Sequence, residues 1–244
     1  MFLAVPDDSV LPTARLLAAA GKRIPESIAF VHLSGAMPLD ALEPLRARHP
    51  IGSFHPLQSF PEPLPPASLR GIVVAVDASS PLLRRRLAGL ARTLGARPRR
   101  VGDGDRVLYH AAAVFVSNYL DVLLSEGVQL LEAAGWSAKD ATSGLLALAE
   151  GTLASVRKRG PVAALTGPVR RGDVTTVERH LSALSGLAGA RRAGRGPSIA
   201  DIYRMLALIA LEIAVEAGLE PAAVERMQRA LTEKAAATRR RRRA

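Results

Sequence analysis

The chain of 244 residues contains no cysteine. That excludes disulfides, zinc–thiolate sites and a cysteine nucleophile, and it fits a reducing compartment, so a cytoplasmic protein is expected. Aromatic residues make up only 4%, and no stretch interleaves them with basic residues, so no base-stacking platform is expected. No apolar run is expected to reach the roughly 18 to 20 residues of a membrane span. The longest, Met205 to Val215, is broken by Glu212. The start fails as a signal peptide, because no basic region precedes its short apolar stretch and Asp7-Asp8 ends it. No metal site is expected.

What is present points to a folded protein. Hydrophobic residues are 48% and charged residues 23%, a globular balance, and the length allows one or two domains. The net charge is +11, of which Arg239 to Arg243 supply five. Arg84-Arg85-Arg86 and Arg191-Arg192 with Arg195 are further clusters. A tail of like charges reads as a solvated, self-repelling end, with at most weak, salt-sensitive contact with nucleic acid.

Apolar strands and helical segments alternate at first. Met1 to Val5, Ile28 to Leu33, Ile51 to Phe54, Ile72 to Val76 and Pro98 to Val101 read as strands. Leu11 to Ala20, Leu39 to Ala47 and Pro81 to Leu94 read as helices between them. Such alternation implies a mostly parallel sheet, whose ligands sit outside the strand ends. At Gly102-Asp103-Gly104 the pattern changes to helical periodicity alone. Helices are expected over 105–134, with a bend near Gly127, and over 137–159, 173–184, 199–217 and 221–235. The division is therefore an α/β part at 1–101, a helical part at 102–235 and a disordered Arg-rich tail at 236–244.

Three segments carry more polar groups than a plain core needs. Gly52-Ser53-Phe54-His55-Pro56-Leu57-Gln58-Ser59-Phe60 places His55 at a strand end, either as a site residue or as a loop histidine satisfied by backbone. In Tyr109-His110-Ala111-Ala112-Ala113-Val114-Phe115-Val116-Ser117-Asn118-Tyr119-Leu120-Asp121, the residues His110, Ser117, Asn118 and Asp121 share one face of an unbroken helix. That stripe faces water or lines a cavity; histidine can donate a proton near neutral pH and asparagine can orient a carbonyl. In Thr166-Gly167-Pro168-Val169-Arg170-Arg171-Gly172-Asp173, the aspartate suits an N-cap, and the loop before it is either an anion site or a helix connector.

Taken in order, VPDD, HLSGA, GSFHPLQSF, LYHAAAVFVSNYL and ALTGPVRRGDVTTVERHL resemble a family of Rossmann-like oxidoreductases related to pyrroline-5-carboxylate reductase. Their C-terminal helical domain, of unknown function, is similar to the 6-phosphogluconate dehydrogenase C-terminal fold. The resemblance covers about residues 1 to 218. It implies an NADP-binding domain, a helical domain that dimerises, and hydride transfer to or from a C=O or C=N group of a small molecule. Carried onto this sequence, it implies catalytic roles for His110 and Asn118, with Ser117 beside them. Val5, Pro6, Ser34, Gly35 and His55 would line the nicotinamide side.

One departure from that family bears on function. The G-x-G-x-x-G segment that seats a pyrophosphate occurs nowhere in this sequence. The expectation is an incomplete Rossmann-like sheet followed by an all-α domain, with NADP binding weak or lost. The competing expectation is a non-enzymatic helical dimerisation module that retains half of such a sheet.

Overall fold

The computed structural model describes residues 1–187 and 196–241, with side chains described through Thr232 in the last helix. Residues 188–195, within the Gly/Arg-rich loop, and the end of the arginine tail at 242–244 lie outside the described residues. The chain forms two compact units, Met1–Leu123 and Leu124–Ala244.

The first unit is built on a five-stranded sheet in the order β1-β2-β3-β4-β5. Its strands are β1 (Phe2–Leu3), β2 (Phe30–His32), β3 (Ile51–Pro56), β4 (Val73–Ala78) and β5 (Arg97–Arg100). β1, β2 and β3 run parallel, β4 is antiparallel to β3, and β5 is parallel to β4. The expected mostly parallel sheet is therefore present. α1 (Asp7–Ala19) ends where Gly21 takes φ 57°, the left-handed stop that glycine adopts without steric cost. The segment at 39–47 is a 3₁₀ turn, Leu39–Leu42, running into the single-turn α2 (Glu43–Arg46). α3 (Pro81–Thr93) opens with Ser80 as N-cap and Pro81 at N1.

Two cores flank this sheet. Val10, Ala14, Phe30, Leu42, Leu45 and Ile51 are buried under α1 and α2. On the other side, Leu83, Leu87 and Ala91, one face of α3, pack on Val74, Val76 and Phe54.

The outer edge of β5 has a distinct chemistry. Arg97 and Val101 donate their backbone N–H groups inward, to Ile72 and Val76 of the β4 side, at 2.8 and 3.4 Å. Residues alternate along a strand, so Pro98 and Arg100 face outward, and Pro98 has no N–H to give.

The long helix expected over 105–134 is two helices, α4 (Arg106–Val116) and α5 (Asn118–Ala133). The break falls at Ser117, with φ −95° and ψ −75°, rather than near Gly127. Gly127 has another use: a Cβ there would come within 3.0 Å of Leu145 Cδ1, so the glycine lets α6 approach. Averaged over 18 residues, segment 103–133 reaches a mean hydropathy of 1.5, long and apolar enough by composition to cross a membrane. This differs from the expectation that no stretch is long enough, because Ser117, Asn118 and Asp121 punctuate an otherwise apolar segment.

The second unit is helical. α6 (Ala138–Ala164) is interrupted by Gly160 at φ 77°, with Pro161 restarting the turn. α7 (Pro168–Arg171) was not expected; Gly172, left-handed, ends it, and Asp173 caps α8 (Val174–Gly186) by accepting the Thr176 N–H. α9 (Ile199–Glu216) starts from a Ser198–Asp201 capping box. α10 (Pro221–Arg241) extends beyond the expected stop near Ala235. Val177, Leu181, Leu211, Met227 and Leu231 form the core of this unit.

Candidate functional site

In the first unit, the ends of β2 and β3 meet the start of α4 in a buried polar cluster. Its centre is Arg106, the first residue of α4, only 1% exposed. The guanidinium donates to Ser53 Oγ on β3, to the Ser34 carbonyl after β2 at 3.5 Å, and to Asp103 Oδ1 at 3.3 Å. The same Asp103 oxygen accepts the Leu39 N–H at 3.0 Å. One arginine thus ties α4 to two strand ends, and its fork geometry suits three acceptors at once.

His55, near the end of β3, places Nδ1 2.7 Å from the Tyr109 hydroxyl, with the two rings edge to face. Burial first, then the nearby positive charge of His110 and Arg106, lowers the His55 pKa to about 4, so this ring is neutral at physiological pH. Burial raises the Tyr109 pKa to about 12, which keeps its hydroxyl protonated. Ser34 Oγ accepts the N–H groups of Ala36 and Met37, closing a tight turn that presents Gly35 to the His55 ring. His32, on β2, is fully buried, and neither ring nitrogen has a partner among the described residues. Burial, with Arg106 as the next cause, holds its pKa near 4 as well.

A cavity of about 360 Å³ adjoins this cluster, lined by Ala36, Val107, His110, Ala111, Val114, Phe115 and Tyr119. Its wall is mostly apolar, with His110 and Tyr119 as its polar side chains, a lining suited to a small organic substrate.

The residues singled out from sequence are therefore distributed unevenly. His110 lines the cavity, while His55, Ser34 and Gly35 belong to the neighbouring cluster. Val5 and Pro6 are exposed just beyond β1. Ser117 is the exposed end of α4 and Asn118 the exposed start of α5; neither lines the cavity. The stripe reading assumed an unbroken helix, and the turn at Ser117 alters the register after it. Tyr109 and Ser53 fall within the motifs without an expected role, and Arg106 falls outside them. The signal for Arg106 was an arginine at the start of an apolar helix, and for Tyr109 its place beside His110.

The nicotinamide end and the phosphate end of a dinucleotide fare differently here. At the strand ends, beside His55, the adjoining cavity offers an apolar recess of about 360 Å³. The space that Gly35 leaves is already filled by the His55 ring, so that glycine serves the histidine. α1 follows a strand end, but it opens on Asp7 and Asp8, whose carboxylates disfavour a pyrophosphate at that helix terminus. The turn that joins β5 to α4, Gly102-Asp103-Gly104-Asp105, lacks the third glycine and carries two carboxylates, so it too disfavours a pyrophosphate.

No curated protein matches the chain. Solved structures do, with identities that speak to fold alone. A Bacteroides fragilis protein named as an inferred NADP oxidoreductase is 23% identical, with a TM-score of 0.66 over 86% of this chain and 74% of its own. A Thermotoga maritima protein is 21% identical, with a TM-score of 0.71 over 88% and 78%. The NADP-bound pyrroline carboxylate reductase of Plasmodium falciparum is 12% identical, with a TM-score of 0.54 over 93% and 80%. The fold is thus the Rossmann-like sheet and helical continuation of these oxidoreductases. Residues 72–210 match the family described as Domain of unknown function (DUF2520), more than half of the chain, and the chain belongs to that family.

Proposed function

We propose that the protein is an NADP(H)-dependent oxidoreductase that reduces or forms a C=O or C=N bond in a small molecule, working as a cytoplasmic homodimer. The observation that carries this reading is the junction of His55 and Tyr109 with the cavity on which His110 opens. Bound NADPH would supply the hydride. The chain's own residues do the rest. Val5, Pro6, Ser34 and His55 form the strand-end side against which the ring would rest. The apolar cavity wall, whose Val107 and Phe115 are exposed in the single chain, would exclude water from the carbon that receives hydride once a second copy covers it. His110 gives a proton to the oxygen or nitrogen of the reduced group, and Asn118, with Ser117 beside it, would have to hold that polar atom from outside the lining, next to Tyr119. In the oxidative direction His110 takes the proton back.

The test is NADPH oxidation against a panel of small carbonyl and imine compounds, with His110→Gln and Asn118→Ala beside the parent protein. Loss of a positioned proton donor lowers turnover by about 10² to 10⁴, and here the melting temperature should not change. Unchanged turnover in both variants would move the chemistry to His55.

A second reading is a non-enzymatic interaction module. It is favoured by the lack of a pyrophosphate seat among the described residues and by the exposed apolar side chains of α4 and α5. Inertness toward every compound, with no NADPH binding, would support it.

A further inference from the structure

Residues 70–100 contain eight arginines and a single acid, Asp77, a local balance of +7 against +11 for the whole chain. The fold places these arginines along one margin of the sheet, with those of α3 and Arg100 on one side, and with Arg97 and Arg99, in register with Val73 and Ala75, on the other. α3 turns Leu83, Leu87 and Ala91 inward, which leaves Arg85, Arg86 and Arg92 exposed on its outer surface. β5, the sheet edge beside it, exposes Arg97, Arg99 and Arg100. The two elements converge at one end on Asp77 Oδ1, 3.9 Å from Arg84 and 3.5 Å from Arg100. At the other end Arg97 Nε donates to the Gly71 carbonyl at 3.0 Å, and the stem of the exposed Arg70 packs at Gly95.

The charge on this margin is almost uncompensated. Arg70, Arg85, Arg86, Arg92, Arg97 and Arg99 make no ion pair with a carboxylate among the described residues. By contrast, Arg46 and Arg48 elsewhere on this unit are each paired with acids. Six like charges held together on a rigid helix and strand repel one another, and a polyanion relieves that repulsion.

The chemistry of the margin narrows the partner. An acidic strand added to β5 is disfavoured, because Pro98 removes an outward N–H. Residues 70–100 contain no aromatic side chain, so stacking on unpaired bases is absent. A bilayer surface would want an apolar anchor, and α3 offers only Leu82 and Leu90, 52% and 37% exposed, among its arginines. What remains is a row of guanidinium groups, planar donors matched to phosphate oxygens.

We propose that the α3–β5 face binds the phosphate backbone of duplex nucleic acid without reading its sequence. This does not depend on the oxidoreductase reading. The experiment is anisotropy of a short, labelled, mixed-sequence DNA duplex across a salt series, using three full-length proteins and one truncation. The proteins are the parent, R85Q/R86Q/R92Q/R100Q, the charge reversal R85E/R86E, and the chain lacking residues 239–244. The expected result is a log–log salt slope shallower by about 3 to 4 in the quadruple variant, near 0.9 per lost phosphate contact. Charge reversal should abolish binding at moderate salt, and the tail deletion should keep most of it. Melting curves separate lost binding from lost folding. Binding that vanishes with the tail alone overturns the proposal, as does a quadruple variant that binds like the parent. Parent protein that prefers phosphatidylserine vesicles over the duplex overturns it in favour of a membrane surface.

Discussion

Replacing Gly35 by alanine tests whether the His55–Tyr109 pair is held by shape. Gly35 is not among the glycines at positive φ, so its backbone suits alanine and only space is at issue. An added Cβ would stand 2.8 Å from both Cε1 and Nε2 of His55. Ordinary contact needs about 3.5 Å or more, so the ring must move by roughly 0.7 Å. A 2.7 Å bond to the Tyr109 hydroxyl does not survive such a shift intact. Overpacking costs about 1 to 3 kcal/mol and the strained hydrogen bond about 1 kcal/mol more. At roughly 2 to 4 °C per kcal/mol for a chain of this size, the midpoint should fall by about 5 to 10 °C. Tyr109→Phe, which loses only the bond, should cost about 1 kcal/mol. The decisive measurement is the double variant. The bond can be lost only once, so the double variant should melt higher than the sum of the two losses predicts, by about 1 kcal/mol of coupling. Simple additivity, or a G35A midpoint equal to that of the parent, would refute the reasoning.

Two further predictions concern pH and association. His32 and His55 have folded pKa values near 4 against a reference of 6.5, so the stability their neutral forms contribute is complete above pH 6.5 and is lost as pH falls toward 4. By about pH 5 the fully buried His32 alone should cost about 2 kcal/mol; a His32→Gln variant whose melting point drops with pH as steeply as the parent's would argue against this. The apolar side chains of Val107, Leu108, Phe115 and Val116, 68 to 74% exposed, are the face expected to cover itself with a second copy. Sedimentation should show a dimer that Phe115→Glu/Val116→Glu weakens at least tenfold, and a parent protein that stays monomeric at tens of micromolar would remove the homodimer from the proposal.

Much of the architecture is legible from periodicity, because alternating strands and helices each announce the face they bury. The five strands, α3 and α9 fall within a few residues of where spacing puts them. The α4–α5 break does not, since Ser117 is neither glycine nor proline and carries no breaker signal. Gly127 invited a bend but serves close packing against Leu145. Gly160-Pro161 is legible: the helix expected over 137–159 stops just before Gly160, whose φ of 77° interrupts α6. At the candidate site, His110 and His55 stand out by residue type. Arg106 and Tyr109 do not, because a buried guanidinium between strand ends is defined by residues 53 and 72 positions earlier in the chain.

The proline at the outer edge of β5 gives the sheet a direction of growth. With an outward donor missing at Pro98 and arginines crowding that margin, the sheet is closed to extension on the β5 side. The opposite margin carries Phe2, 46% exposed, on a strand whose outer side has no proline. Any strand that enlarges this sheet, whether from the same polypeptide or from another, therefore joins beside β1. Enlargement there leaves the arginines at the far margin untouched, so the two margins of one sheet can be occupied at the same time.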